Sequence, residues 1–156
     1  MVLQAVIASG ILTLALAAAS PDQAASRASQ RDKTMDNKIT IRIGDKAFAA
    51  TLSDNATAAA FKRLLPLSVT MTELNGNEKF ARLSVSVPTR ASTPSGIQTG
   101  DLMMYGSSTL VLFYKSFRTT YRYTNIGRLD DPAGLEAALG SGNVDVTFEI
   151  GDRRKQ

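Results

Sequence analysis

The chain has 156 residues, 44% of them apolar, and a formal net charge of +4, which suits one globular domain with enough core to fold unaided. It contains no cysteine and no histidine, so disulfide bonds, thiol catalysis, a cysteine-linked lipid anchor, a Ser-His-Asp triad and ordinary zinc ligation are excluded. Half of the net charge lies in residues 151–156, and the rest is too diffuse for a nucleic-acid-binding surface.

The N-terminal segment is typical of a secretion signal. Residues 2–19 are mainly apolar or small, and Ala17-Ala18-Ala19 supplies the small-residue pattern that precedes a cleavage site. No Lys or Arg precedes this run, and the alternative is an N-terminal membrane anchor, for which the run is weakly hydrophobic and barely long enough. We therefore predict a signal peptide at residues 1–19 and a secreted or periplasmic protein with no stable membrane span after cleavage.

Two further segments lie outside the predicted fold. Residues 20–37 are rich in Ser, Ala, Asp and Arg and lack an apolar period, which predicts a disordered linker. Residues 151–156 form a basic tail. The domain itself is expected at residues 38–150.

The domain begins with a predicted hairpin and a helix. Lys38 to Ile43 alternates isoleucine with polar residues, and Ala47 to Leu52 returns as a second strand after a Gly-Asp-Lys turn. Asp54 or Asn55 then caps a helix that ends at Pro66.

The middle of the chain predicts two more strands and a long loop. Leu67 to Thr72 alternates, Asn75-Gly76-Asn77 is a turn, and Glu78 to Leu83 is a short strand that Val85 and Val87 extend. Residues 88–100 are a Pro/Ser/Gly loop longer than most inside a compact domain, so they are either functional or a tolerated insertion.

The segment from Asp101 onward predicts the centre of the sheet. The runs on either side of Gly106-Ser107-Ser108 are paired strands, and Thr109 to Phe113 is apolar enough for a central strand covered on both faces. Tyr121 to Leu129 is a further strand. It leads to a helix with Asp131 as its cap, Pro132 as its first residue and Gly140 at its exit.

The final strand, Val144 to Ile150, predicts how the sheet closes. Its outward residues read Asp-Thr-Glu, whereas those of the first strand read Lys-Thr-Arg. Opposite charges across paired strands are stabilising, so we expect the two strands to pair and to bring Ile41 near Val146. The predicted fold is mainly β, a closed antiparallel barrel of about eight strands capped by two short helices.

Several segments resemble a known family. Ile126 to Leu139 is similar to the last third of cyclophilins, with a Gly-basic-aliphatic strand end leading into the second capping helix. Stretches that resemble the bacterial cyclophilin-like domain family, whose small members are exported or flavodoxin-associated, are Leu74 to Phe80, Gly100 to Gly106, Leu110 to Phe117 and Tyr121 to Thr124. The resemblance covers residues 38–150. It implies an eight-stranded closed barrel with two helices, a largely unassigned function and a flavodoxin-type protein as one candidate partner.

The resemblance raises the question of prolyl isomerisation, which needs an apolar pocket and an Arg that stabilises the twisted imide. Cyclophilins carry that Arg on the strand after the first helix, but here Leu67 to Thr72 contains none. Glu78 to Leu83 lacks the family's Gln and glycine pair, and the chain has no Trp or His for the pocket. We assign no catalytic residue and do not expect an enzyme, although a displaced Arg82 or Arg118 is the alternative.

Aromatic residues concentrate between positions 105 and 123, with Arg118 and Arg122 among them. One interpretation is a groove with aromatic walls and cationic tips for a peptide or small anionic ligand; the other is a set of core or cross-strand packing residues. The candidate ligand-binding residues are Tyr105, Phe113, Arg118, Tyr121, Tyr123 and Arg82.

No metal or cofactor is expected. Asn75, Asn77 and Glu78 lack the regular acidic spacing of a calcium loop and are interpreted as a turn. Three functions stay open: an exported binding module without enzymatic activity, a divergent prolyl isomerase, and an accessory domain of a flavodoxin-type partner.

Overall fold

The computed structural model describes residues 20–151, and for residues 33–35 it describes the backbone alone. The predicted signal peptide and most of the basic tail therefore lie outside the described residues. The helices are α1 (Pro21–Asp36), α2 (Ala56–Lys62) and α3 (Leu135–Leu139). The strands are β1 (Lys38–Ile43), β2 (Lys46–Leu52), β3 (Leu67–Leu74), β4 (Glu78–Arg82), β5 (Asp101–Tyr105), β6 (Thr109–Phe113), β7 (Thr124–Leu129) and β8 (Val144–Ile150).

The eight strands form a closed antiparallel barrel in the order β1-β2-β7-β5-β6-β4-β3-β8, which confirms the predicted architecture. The predicted pairing of the first and last strands is also confirmed, with a shifted register. Ile41 lies opposite Phe148, and Val146 lies opposite Ile43. Arg42 lies opposite Thr147 and reaches diagonally to Glu149, with Nε 2.7 Å from the carboxylate.

The barrel interior holds the larger of two apolar clusters. Strand alternation turns Ile39, Ile41 and Ile43 inward, where they are essentially inaccessible to solvent. Helix α2 covers one side of this core, and the Phe61 ring contacts that of Phe148 edge to face at 5.5 Å. The helix is capped by Asn55, whose Oδ1 accepts the N–H of Ala58 at 2.8 Å, because this removes an unsatisfied helix-start donor.

Strand β6 is covered on both faces, as its apolar sequence predicts. Leu110 and Leu112 belong to the interior cluster, whereas Val111 and Phe113 belong to a second cluster. Because neighbouring residues of a strand point to opposite sides, this second cluster lies on the outer surface of the barrel. We call it the outer cluster; its buried members are Ile97, Met103, Val111, Phe113 and Tyr123, with Phe80 and Phe117 packed against it.

The long loop before β5 is part of this outer covering. Ile97 is completely buried and its backbone pairs with that of Phe117, and Ser92 pairs in the same way with Tyr123. This pairing explains why β7 begins at Thr124 and not at Tyr121, since the Tyr123 backbone is used by the loop. The predicted extension of β4 through Val87 is likewise replaced by contacts to the β5–β6 turn, where Val87 N donates to the Ser107 carbonyl.

Residues 21–36 form helix α1 where the sequence predicts a disordered linker. Pro21 suits the first helical position, and the Ser20 carbonyl accepts the N–H groups of Gln23 and Ala24. The segment lacks an apolar face, and its described side chains are exposed, but Ala, Gln, Arg and Lys have high helix propensity. The sequence predicts a disordered linker here, whereas the structure has a helical backbone.

Helix α3 begins later than predicted. Asp131 Oδ1 accepts the N–H of Ala133 at 2.9 Å, which makes a local turn instead of a helix cap. The helix starts after Gly134, which has a φ of 81°, and Gly140, with a φ of 63°, ends it as predicted. Within residues 20–151, none of the helices is long and apolar enough to cross a membrane.

Candidate ligand-binding site

A cavity of about 950 Å³ lies on the outer side of the barrel, beside the outer cluster. Its floor is formed by β4 and β6, whose residues 78, 80 and 82 and residues 109 and 111 face it at alternate positions. The segment that follows β6 supplies the opposite wall. The aromatic residues that line the cavity are Phe80, Tyr105, Phe117, Tyr121 and Tyr123.

Five of the six candidate residues from the sequence line this cavity: Arg82, Tyr105, Arg118, Tyr121 and Tyr123. The sixth, Phe113, is fully buried behind the wall. Its ring contacts Tyr123 at 5.4 Å and Phe117 at 5.7 Å between centroids. Phe113 therefore supports the cavity without lining it.

Some of the aromatic residues are packing residues, and others are exposed in the cavity, so each of the two interpretations holds for part of the set. Tyr123 is buried in the outer cluster, whereas 48% of Tyr105 and 63% of Tyr121 is exposed. The Tyr105 ring packs against both, 6.2 Å from Tyr121 and 5.7 Å from Tyr123 between centroids. The wall is thus a continuous run of rings that begins in the core and ends in solvent.

Glu78 also lines the cavity. The sequence predicts it only as part of a turn and a strand, with no role in binding. Only 7% of its surface is exposed, yet it lines the cavity. Among residues 20–151, its carboxylate takes part in none of the ion pairs or side-chain hydrogen bonds. Burial, followed by the negative charge of Glu73, raises the pKa of Glu78 above its ordinary value of 4.5.

Asn77 adds a second unsatisfied group. Its Oδ1 is buried and has no hydrogen-bond partner in the described part of the chain, and the residue lines the same cavity. Buried polar atoms are nearly always paired, so an orphaned acceptor beside a cavity is informative. Asn77 and Glu78 lack calcium-loop spacing, and the signal in the sequence that indicates their position is a carboxylate two residues from Phe80 on one face of a strand.

Tyr123 faces the same electrostatic environment. Burial, together with the charges of Glu78, Tyr105 and Tyr121, raises the pKa of Tyr123 to about 12. Its phenol therefore stays protonated at physiological pH and keeps its ability to donate a hydrogen bond.

The cation next to Glu78 in sequence, Lys79, lies on the opposite face of β4 and pairs with Glu73. Lys79 is fully buried and donates to Glu73 and to the carbonyls of Gly140 and Gly142. Glu73 also accepts the Tyr114 hydroxyl at 2.8 Å. Burial alone would raise the pKa of Glu73, but the hydrogen bonds from Lys79, Tyr114 and Gly76 outweigh it and hold the pKa below 4.5.

No group of three or more acidic, Cys or His residues that could hold a metal ion occurs within residues 20–151. The chemistry available in the cavity is that of aromatic rings, one carboxylate, two amides, the hydroxyl groups of serine, threonine and tyrosine, and the guanidinium groups of Arg82 and Arg118.

Comparison with known proteins agrees with this architecture. A model of the cyclophilin-like family matches residues 41–149, which is more than half of the chain. No curated protein sequence matches. The fold is similar to the solution structure of a hypothetical protein from Archaeoglobus fulgidus, with a TM-score of 0.52 and 16% identity over 76% of this chain and 97% of that one. The barrel, its order of strands and the family match together establish that this chain belongs to the cyclophilin-like family.

Proposed function

We propose that the protein is a non-catalytic binding module that holds a peptide or small ligand in the aromatic cavity. The observation that carries the proposal is a cavity of about 950 Å³ with a wall of partly exposed rings on the outer surface of the barrel. Cavities of this size with aromatic linings and a few convergent polar groups are the usual form of small-ligand sites.

The exposed rings supply the binding energy in this proposal. Tyr105 and Tyr121 expose large apolar areas that a ligand would cover, and each ring loses little conformational entropy on binding. The support beneath them is rigid, because Phe113 and Tyr123 are packed in the outer cluster. A prepared surface of this kind binds without the cost of ordering its own side chains.

The test is a ligand screen on the full chain by NMR, with a panel of peptides and small aromatic or aliphatic molecules. We expect binders to shift the resonances of Tyr105 and Tyr121, and Tyr105→Ala to weaken them at least about tenfold. Ile150→Ala is the control, since it removes a comparably exposed apolar side chain that does not line the cavity. Binders that shift only residues elsewhere on the barrel would contradict the proposal.

A divergent prolyl isomerase is the second candidate, and one observation favours it. Arg82 and Arg118, which could replace the missing family Arg, both line the aromatic cavity. Against it, the unpaired carboxylate of Glu78 lies in the same cavity, where its negative charge would oppose the withdrawal of electron density from an imide. We expect no catalysis of peptide isomerisation; clear catalysis that Arg82→Ala or Arg118→Ala abolishes would make the isomerase the function.

The proposal has two further parts, the export of the protein and its association with a flavodoxin-type partner. Secretion or residence in the periplasm is supported by the apolar run of residues 2–19, and fractionation of cells that express the full chain tests it. An accessory role for a flavodoxin-type partner is supported by family association alone, and a binding measurement with a purified flavodoxin-type protein tests that role.

A further inference from the structure

We infer that the cavity selects an organic cation, a primary ammonium or guanidinium group on an apolar stem, which binds to Glu78. The inference rests on the proposed binding function and names the chemical class of its ligand. It differs from the anionic ligand that the two arginines suggest from the sequence.

The first argument is the state of the Glu78 carboxylate. Glu78 as a residue is only 7% exposed, and a carboxylate on so buried a residue is normally paired or hydrogen-bonded, because partial removal of its hydration is costly. The neighbouring Lys79 is not available, since its three donors go to Glu73, Gly140 and Gly142. A bound cation would supply the counter-charge that the folded chain does not.

The second argument concerns the arginines of the cavity. Arg82 is four positions from Glu78 on β4, which places their Cα atoms roughly 13 Å apart at the usual rise of a strand. Its guanidinium forms no ion pair with Glu78 within the described residues. Arg118 likewise forms no ion pair with Glu78 within the described residues. The cavity therefore has an acidic end at Glu78, separate from the basic residue at the far end of β4.

The third argument is the surroundings of the acidic end. Asn77, the residue next to Glu78 in sequence, lines the same cavity, and its orphaned Oδ1 is a hydrogen-bond acceptor. An ammonium has three N–H donors and no acceptor, so it can use both groups, whereas a carboxylate ligand can use neither. The rings of Phe80 and Tyr123 line the cavity as well, and aromatic faces attract cations.

The experiment is an NMR titration of the full chain with three probes of equal length: n-pentylammonium, pentan-1-ol and pentanoate. We expect n-pentylammonium to bind about tenfold or more tightly than pentan-1-ol, because the ammonium adds the attraction between opposite charges to a hydrogen bond that the alcohol can also donate to the carboxylate. We expect pentanoate to bind most weakly. A blocked tripeptide with a central lysine, compared with its norleucine analogue, then shows whether the cation is better presented by a peptide or by a free amine.

Glu78→Gln is the deciding variant, since it keeps the shape and removes the charge. We expect it to abolish the preference for n-pentylammonium over pentan-1-ol. Glu136→Gln, which removes an exposed carboxylate outside the cavity, is the matched control and should keep the preference. The amide spectrum of each variant verifies its fold.

The possible failures are distinct. Equal binding of the ammonium and the alcohol, with shifts at Tyr105 and Tyr121, overturns the cation inference and leaves the binding module intact. A preference that survives Glu78→Gln also overturns it. If neither these probes nor the peptides of the wider panel shift any cavity resonance, the proposed function fails together with the inference.

Discussion

At the scale of single residues, two glutamates on neighbouring strands differ in their hydrogen bonds and in the direction of their pKa shifts. Glu73 on β3 is satisfied by Lys79, Tyr114 and the Gly76 amide, and its pKa is lowered. Glu78 on β4 faces a cavity without such donors, and its pKa is raised. The same side chain is therefore structural at one position and available for a ligand at the other.

This contrast predicts the effect of Glu78→Gln on stability. Because the pKa of Glu78 is higher in the folded protein than in the unfolded chain, ionised Glu78 destabilises the fold at neutral pH. The contribution of Glu78 to the stability of the wild-type protein therefore becomes more favourable as pH falls through that raised pKa, and the change is complete below the ordinary value of 4.5. We expect Glu78→Gln to raise the Tm at pH 7, with an advantage that shrinks as pH approaches 4.5.

Thermal melts of wild type, Glu78→Gln and Glu136→Gln between pH 4 and pH 8 measure this effect. The Glu136 variant should follow the wild type, because the side chain of Glu136 is mostly exposed. An equal or lower Tm for Glu78→Gln across the whole range would show that the carboxylate is already stabilised by the folded chain.

At the scale of elements, β4 has one face that holds the barrel together and one face that lines the cavity. Its odd-numbered face carries Lys79, which connects β4 to β3 and to the loop between α3 and β8. Its even-numbered face carries Glu78, Phe80 and Arg82, which line the cavity. The anchoring of one face holds the other in place, since consecutive side chains of a strand share a backbone.

Lys79→Met tests this anchoring. Met keeps the length of the apolar stem but leaves Glu73 and two carbonyls without their donor, so we expect the free energy of unfolding to fall by about 3–5 kcal/mol. Urea denaturation followed by circular dichroism measures the change. Lys46→Met is the control, because that lysine is exposed and its ion pair with Asp45 is long at 3.7 Å, so we expect less than about 1 kcal/mol.

At the scale of the whole molecule, the barrel has no free sheet edge, and it depends on every seam between neighbouring strands. Strand β2 pairs with β7 at three positions, from Ala50–Leu129 to Leu52–Gly127, and this pairing is shorter than that of β2 with β1. At Gly127 the strands approach so closely that an added Cβ would lie 2.4 Å from the Thr51 carbonyl oxygen.

Gly127→Ala therefore tests the closure of the barrel. The new methyl group meets backbone atoms that cannot move without separating the strands, and we expect a loss of about 1–3 kcal/mol in the free energy of unfolding. Gly142→Ala is the matched control, since an added Cβ there meets no atom within 4 Å and the position does not require a positive φ. Equal stability of the two variants in urea denaturation would contradict the tight seam.

Most of the fold could be predicted from the sequence because its determinants are local. Alternation in Lys38 to Ile43 and in Val144 to Ile150 identified both terminal strands, and their complementary outer charges indicated that they pair. The errors fall where local signals compete. Asp131 is equally suited to a turn and to a helix cap, and the helix of residues 21–36 has propensity without an apolar face.

The sequence by itself determined the barrel, its closure and the aromatic character of the cavity, since these follow from periodicity and from residue types near one another along the chain. Only the tertiary structure decided which rings are buried and which exposed, and that Glu78 has no ion-pair partner within residues 20–151. The physical reason is that hydrogen bonding and burial depend on residues distant in sequence: Lys79 is satisfied by Gly140 and Gly142, and this leaves the acid beside it available to a ligand.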